Sequence, residues 1–264
     1  MNMNLQEQNW INLFGDISPE GIAWYGIWTR YSPKLEVITS FQGIRNLSAN
    51  NNKTVITHRN NYTYADGSTK EIQWLLDKEI ANQPDGIIHS GAESMRVLSF
   101  SEEAKTSICP QLKIENPFGC ELFFQHQNFR TSVVVIYGEN GELARFTQIR
   151  EHLNSYPDQK PGANLNNISG NWVRKKQSMT PDLQVFQEPE MREIELNLTT
   201  GKNQIFFLPD GIVINVPQQL KIGEEFEILV GKMVIENKYK RMTVKYDKNG
   251  KFIQLISEVF DRKD

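Results

Sequence analysis

The chain has 264 residues, and its Lys+Arg 29 stand against Asp+Glu 32, a net charge of -3. That near-balance gives no electrostatic case for nucleic acid or a membrane surface as the main partner. No run of 18 apolar residues marks a membrane-spanning helix, and the length suffices for one large domain or two ordinary ones with cores of their own.

The N-terminal "MNMNLQEQNW" lacks the basic and apolar regions of a signal peptide. In "LQEQNWINLF" the apolar Leu5, Trp10, Leu13 and Phe14 fit one helix face roughly, and Gly15 is a stop signal, so a short N-terminal helix is expected. "GIWTR" follows at residues 26–30. On a strand, residues two apart face one side, so Gly26, Trp28 and Arg30 share a face. "KLEVITSF" and "KTVITHRNNYTYADGSTKEIQWLL" are rich in β-branched and aromatic residues with near alternation, and Asp66-Gly67 suits a tight hairpin turn. That segment places Tyr62 and Tyr64 on one face close to the turn. In "ELFFQHQNFRTSVVVIY", His126 and Arg130 lie near a turn between strands. Asn140-Gly141 and Asn249-Gly250 each join two further strands. Between the halves, "EHLNSYPDQKPGANLNNISG" is rich in Asn, Pro and Gly and poor in apolar residues, as a linker should be. The cysteines Cys109 and Cys120 read as free thiols in a reducing cytoplasm.

Three landmarks recur in the same order. "GIWTR" from Gly26 returns as "GNWVR" from Gly170, "PDGIIH" from Pro84 as "PDGIVI" from Pro209, and "YGENGEL" from Tyr137 as "YDKNGKF" from Tyr246. The offsets shrink, 170 - 26 = 144, 209 - 84 = 125 and 246 - 137 = 109, as they would if the second copy of a duplicated unit had shorter loops. The expectation is an all-β chain of two tandem antiparallel barrels, residues 1–150 and 170–264, with a linker at 151–169. Closing into a barrel removes exposed strand edges. The first copy has more chain between its landmarks, so the main cavity is expected there, lined in part by Tyr62, Tyr64, His126 and Arg130.

The motif side chains admit two uses. Trp28 either closes a barrel floor under a stacked cation or touches a ligand. Arg30 needs an anionic partner if buried, either a protein carboxylate such as Glu71 or Glu121 or the carboxylate of a ligand. Tyr62, Tyr64, His126 and Arg130 are candidate ligand contacts, with cross-strand packing or a solvated hairpin end as the alternative. The four histidines, His58, His89, His126 and His152, fall in separate segments, and no Cys-x-x-Cys pair, Gly-x-Ser-x-Gly elbow or Gly-rich phosphate loop occurs. No metal site, cofactor or catalytic residue is indicated.

A short helix leading into a first strand with Gly-x-Trp resembles the lipocalins and the wider calycin superfamily. The stretch "GIWTRYSPKLEVITSFQGIRNL", with "NYTYADGS", "PDGIIH" and "FGCELFFQHQNFR", resembles a family of uncharacterised, mainly cyanobacterial proteins with lipocalin-like barrels and a domain of unknown function. The resemblance covers most of the first half. It implies two lipocalin-like barrels and a cytoplasmic binding protein for a small, mostly apolar ligand with an anionic end: a pigment, an isoprenoid or a fatty-acid-like molecule. It also implies an enzymatic alternative. Lipocalin-like phycobilin lyases deliver a tetrapyrrole to a phycobiliprotein, and other barrels of this type are cyclases or isomerases acting on apolar substrates.

Overall fold

The computed structural model describes residues 4–101, 103–165, 168, 170–188, 192–195 and 203–263. Residues 166, 167 and 169 of the expected linker lie outside the described residues. Helix α1 (Leu5–Phe14) leads into four meandering strands, β1 (Ile22–Tyr31), β2 (Val37–Ala49), β3 (Val55–Thr63) and β4 (Thr69–Asp77). One helical turn, α2 (Lys78–Ala81), separates these from β5 (Asn82–Gln83), β6 (Gly86–His89), β7 (Ala92–Ser101), β8 (Ala104–Ile108), β9 (Phe118–His126), β10 (Phe129–Tyr137) and β11 (Leu143–Leu153). The rest of the chain forms β12 (Asn171–Met179), β13 (Val185–Gln187), β14 (Arg192–Glu195), β15 (Gln204–Leu208), β16 (Ile212–Val216), β17 (Phe226–Ile235), β18 (Lys238–Tyr246) and β19 (Phe252–Arg262).

The protein is all-β with a short N-terminal helix. Among the described residues the first eleven strands make one antiparallel sheet, ordered β4-β3-β2-β1-β11-β10-β9-β8-β7-β6-β5. Last strand joins first strand, β11 to β1, and the sheet curls into a nearly closed barrel. Its ends, β4 and β5, are separated in sequence by α2 alone, and His58 of β3 lies 2.9 Å from Ser90 of the β6–β7 turn. The remaining strands form an eight-stranded sheet ordered β13-β12-β19-β18-β17-β16-β15, with β14 also paired to β12. The chain divides into two compact units. The first comprises Met1–Pro110, Gly119–Val135 and Arg145–Gln159, and the second Gln111–Phe118, Ile136–Ala144 and Lys160–Asp264.

The recurring landmarks take equivalent topological places. Each Gly-x-Trp-x-Arg strand, β1 or β12, pairs with the last strand of its sheet, β11 or β19. Each Pro-Asp-Gly closes the hairpin at the far end of the strand order, β5–β6 or β15–β16. Each Asn-Gly turns the hairpin that delivers the last strand, with Gly141 at φ 81 and Gly250 at φ 73, a region glycine enters without strain. From Pro84 to Tyr137 is 53 residues and from Pro209 to Tyr246 is 37. The difference of 16 matches the β7–β8 hairpin, for which the second sheet has no counterpart among the described residues: β16 pairs directly with β17.

Helix α1 begins at Asn4, whose side chain accepts from the Gln6 amide. Its Trp10, Leu13 and Phe14 pack with Ala49, Ile56, Leu76, Ala81 and Ile87 as an apolar floor at one end of the first barrel. The helix is also tied to the wall by polar groups. Asn9, buried, donates to the Val97 carbonyl and accepts from the Ser99 amide, and Trp10 donates to the Lys53 carbonyl. The floor tryptophan is therefore Trp10, carried by the helix, and Trp28 lies elsewhere.

Candidate binding site in the first barrel

Two glycines decide where Trp28 goes. On strand alternation Gly26, Gly43 and Trp28 share the inward face, and Gly26 pairs with Gly43. A Cβ on Gly43 would sit 2.6 Å from the Trp28 ring, and one on Gly26 2.7 Å from it. The indole thus lies across the wall in the space two missing side chains leave. The glycine of Gly-x-Trp is a steric requirement of the tryptophan two residues on. Around the indole stand Phe41, stacked at 6.1 Å between centroids, and Tyr62, edge-on at 5.8 Å, with Tyr64 5.2 Å from Phe41. Trp28 and Phe41 are buried, whereas Tyr62 and Tyr64 are half-buried.

Beside this aromatic cluster is a belt of buried charge. Arg45 of β2 lies over the Trp28 and Phe123 rings, 5.8 and 5.6 Å from their centroids. Its Nη2 is 3.6 Å from Glu121 Oε1 and its Nε 3.5 Å from Glu151 Oε1. Arg130 donates from Nε to Glu151 Oε2 at 2.7 Å and stacks 4.3 Å from the centroid of Trp24. Ser132 donates to Glu121 Oε1 at 2.7 Å. Glu151 is 0 % exposed in its side chain, which by itself would raise its pKa, but Arg130 and Arg45 outweigh burial and hold the carboxyl below its ordinary range. Arg130 Nη2, also buried, has no hydrogen-bond partner among the described residues.

A neutral relay continues the belt toward the seam of the barrel. Asn60 Nδ2 donates to Tyr62 Oη at 2.8 Å, which turns Asn60 Oδ1 toward His58 Nε2, 3.1 Å away. Nε2 therefore carries the proton, and Nδ1 accepts from the Ser90 hydroxyl at 2.9 Å. Burial first, and the Arg45 charge second, push the His58 pKa down to about 3, so the ring is neutral at physiological pH.

Of the residues singled out by sequence, Trp28, Tyr62 and Tyr64 come together in the aromatic cluster, and Arg130 joins the neighbouring charged belt. Arg30 does not reach the interior. It is exposed near the end of β1, its guanidinium 5.3 Å from the Phe41 centroid, and the cation over Trp28 is Arg45 instead. His126 is half-buried at the end of β9 and takes no part in the contacts above. Glu121 does pair with an arginine, but with Arg45, and Glu71 is exposed on β4. Arg45, Glu151, His58 and Asn60 were not singled out. Alternation alone places His58 and Asn60 on the face of Tyr62, a usable signal. Nothing local marks Arg45 or Glu151, which are over 100 residues apart in sequence.

A hollow of about 300 Å³ adjoins the cluster, lined by Phe41, Tyr64, Ile27, Ser40, Gln42 and Gln159 among others. The second unit has one of about 350 Å³, lined by Gln204, Gln218, Lys221, Glu224 and Phe226 among others. The larger of these two hollows therefore lies in the second unit, against the expectation of a main cavity in the first, and of the four expected lining residues Tyr64 alone borders the first-unit hollow. The first-unit hollow has two aromatic rings in its lining, Phe41 and Tyr64, where the second has Phe226. The second Gly-x-Trp-x-Arg is also built differently. Trp172 is fully buried, donates to the Ile168 carbonyl at 2.9 Å and lies under Arg262. Arg174 pairs with Glu188 and Glu258, and the ring laid across a glycine is Tyr239, over Gly231.

Residues 6–156 match the model of the N-terminal domain of unknown function DUF3598. Residues 188–263 match the C-terminal domain of a biogenesis factor required for ATP synthase. Among curated proteins none matches the chain. Among solved structures, a DUF3598-family protein of unknown function from Nostoc punctiforme is similar over 100 % of both chains, with a TM-score of 0.72 and 18 % identity, a likeness of fold. Intact Ap-TbpB, at a TM-score of 0.17 and 8 % identity over 91 % of this chain and 49 % of its own, carries no argument.

Proposed function

We propose a binding role for this chain, which belongs to the DUF3598 family: a small, mostly apolar ligand with a polar end is held in the first barrel. The observation that carries the reading is the cluster of Trp28, Phe41, Tyr62 and Tyr64, two of its rings half-buried, placed against buried guanidinium groups. Pockets for small molecules combine such apolar walls with a few convergent polar groups. The apolar part lies along the aromatic rings. The first-strand Gly-x-Trp, which resembles that of lipocalin-like barrels, supports the same reading. Titration of the full chain with decanol, followed by tryptophan emission, tests it. A saturable change is expected, weakened roughly tenfold, about 1.4 kcal/mol, by Tyr62→Ala. Linear, unsaturable behaviour in the wild type overturns it.

A second reading, an assembly factor acting on a multisubunit complex, is favoured by the match of residues 188–263 to the ATP synthase biogenesis factor. Cross-linking of the purified chain to ATP synthase subunits tests it, and no adduct at equimolar micromolar protein counts against it.

A further inference from the structure

Arg45, Arg96 and Arg130 of the first unit each have a carboxylate partner. Among the described residues no carboxylate pairs with Arg30, Arg59 or Arg145. Arg59 stands on β3, whereas Arg30 and Arg145 sit together. Arg30 pairs in register with Thr147, and Arg145 precedes Thr147 by two, so both lie on one face of the β1–β11 ladder as diagonal neighbours. Partial burial, and then the nearby charge of Arg30, lower the Arg145 pKa from the ordinary guanidinium value. Arg30 is held over Phe41, and Phe41 also stacks on Trp28 and lines the hollow. The paired cations therefore adjoin the aromatic cluster directly. The nearby acid of the β1–β2 turn, Glu36, is engaged by the Ser32 hydroxyl at 3.4 Å.

We propose that Arg30 and Arg145 form a subsite for the head group of a phosphate monoester whose apolar tail lies along Phe41, Trp28 and Tyr62. One guanidinium fork satisfies one carboxylate bidentately. Two adjacent forks match a group that carries close to two negative charges and three acceptor oxygens, which a phosphate monoester does and a carboxylate does not. The anion also removes the repulsion between the two arginines. This assignment rests on the binding role proposed above, and it replaces an interior anchor for the anionic end with one beside the aromatic cluster.

The test uses the full chain and three probes with one tail: decyl phosphate, decanoate and decanol, each below its aggregation limit and read by calorimetry. In the wild type, decyl phosphate is expected to bind at least about tenfold more tightly than decanol, with decanoate between them, and the preference should shrink as salt is raised. In the Arg30→Gln/Arg145→Gln double variant the preference should fall to within about twofold, with decanol affinity held within about twofold of the wild type and the denaturation midpoint not lowered. A phosphate preference that survives the double substitution, or wild-type protein that binds decyl phosphate and decanol equally, overturns the head-group assignment alone. Failure of all three probes to bind overturns both it and the binding role.

Discussion

Replacing Glu151 with glutamine should destabilise the first unit severely, and burial is the reason. Glu151 sits between Arg130 at 2.7 Å and Arg45 at 3.5 Å, with side-chain exposures of 0 %, 4 % and 11 %. Glutamine keeps the shape and removes the charge, leaving Glu121, among the described residues, as the carboxylate beside two buried guanidinium groups. Breaking such a buried pair costs about 3–5 kcal/mol. The protein holds its own control. Lys78 and Glu7 also approach to 2.7 Å, but their side chains are 24 % and 38 % exposed, and Glu7→Gln should cost less than about 1 kcal/mol. Urea unfolding of both variants at pH 7, followed by circular dichroism, measures the contrast. It also has a pH signature. The carboxyl of Glu151 is depressed in the folded state, so its contribution is complete above its unfolded value near 4.3 and is lost as pH falls through the lower folded value. The gap between wild type and Glu151→Gln should therefore close in acid. Similar losses for Glu7→Gln and Glu151→Gln at pH 7 would refute the role given to burial.

Gly43→Ala should push the Trp28 indole off the wall and cost about 1–3 kcal/mol, visible as a shifted tryptophan emission together with a lower urea midpoint. Trp172→Phe removes the donor to the Ile168 carbonyl and should cost about 1–3 kcal/mol by the same unfolding assay. His58 ring resonances should not titrate between pH 5 and 8. Because its folded pKa lies below the unfolded value near 6.5, its stabilising contribution is present above that value and declines as pH falls below it. A midpoint for His58 near 6.5 in the NMR titration would contradict the buried relay with Ser90 and Asn60.

What the sequence made legible was local chemistry. Asp-Gly and Asn-Gly turns set Gly67, Gly141 and Gly250 in positive φ because the requirement belongs to the turn itself. The same turns, read in order with the two tryptophan motifs, located equivalent strands in both sheets. The alternation that joins Gly26 to Trp28 was equally local. Arg30 lies on the same strand face, yet the strand is ending where it sits and its side chain emerges into solvent. The belt of Arg45, Glu121, Arg130 and Glu151 depends on closure of the barrel, which brings β2 opposite β9, β10 and β11. No spacing rule within one segment reports that. The β7–β8 hairpin and the tie between His58 and Ser90 depend on closure or insertion in the same way.

A structure of the chain crystallised with decyl phosphate tests the binding role most directly. The expected density is an alkyl tail against Trp28, Phe41 and Tyr62, with the phosphate between Arg30 and Arg145. An aromatic cluster left empty at saturating ligand, or a tail bound only at the polar hollow around Gln204 and Gln218, would contradict it.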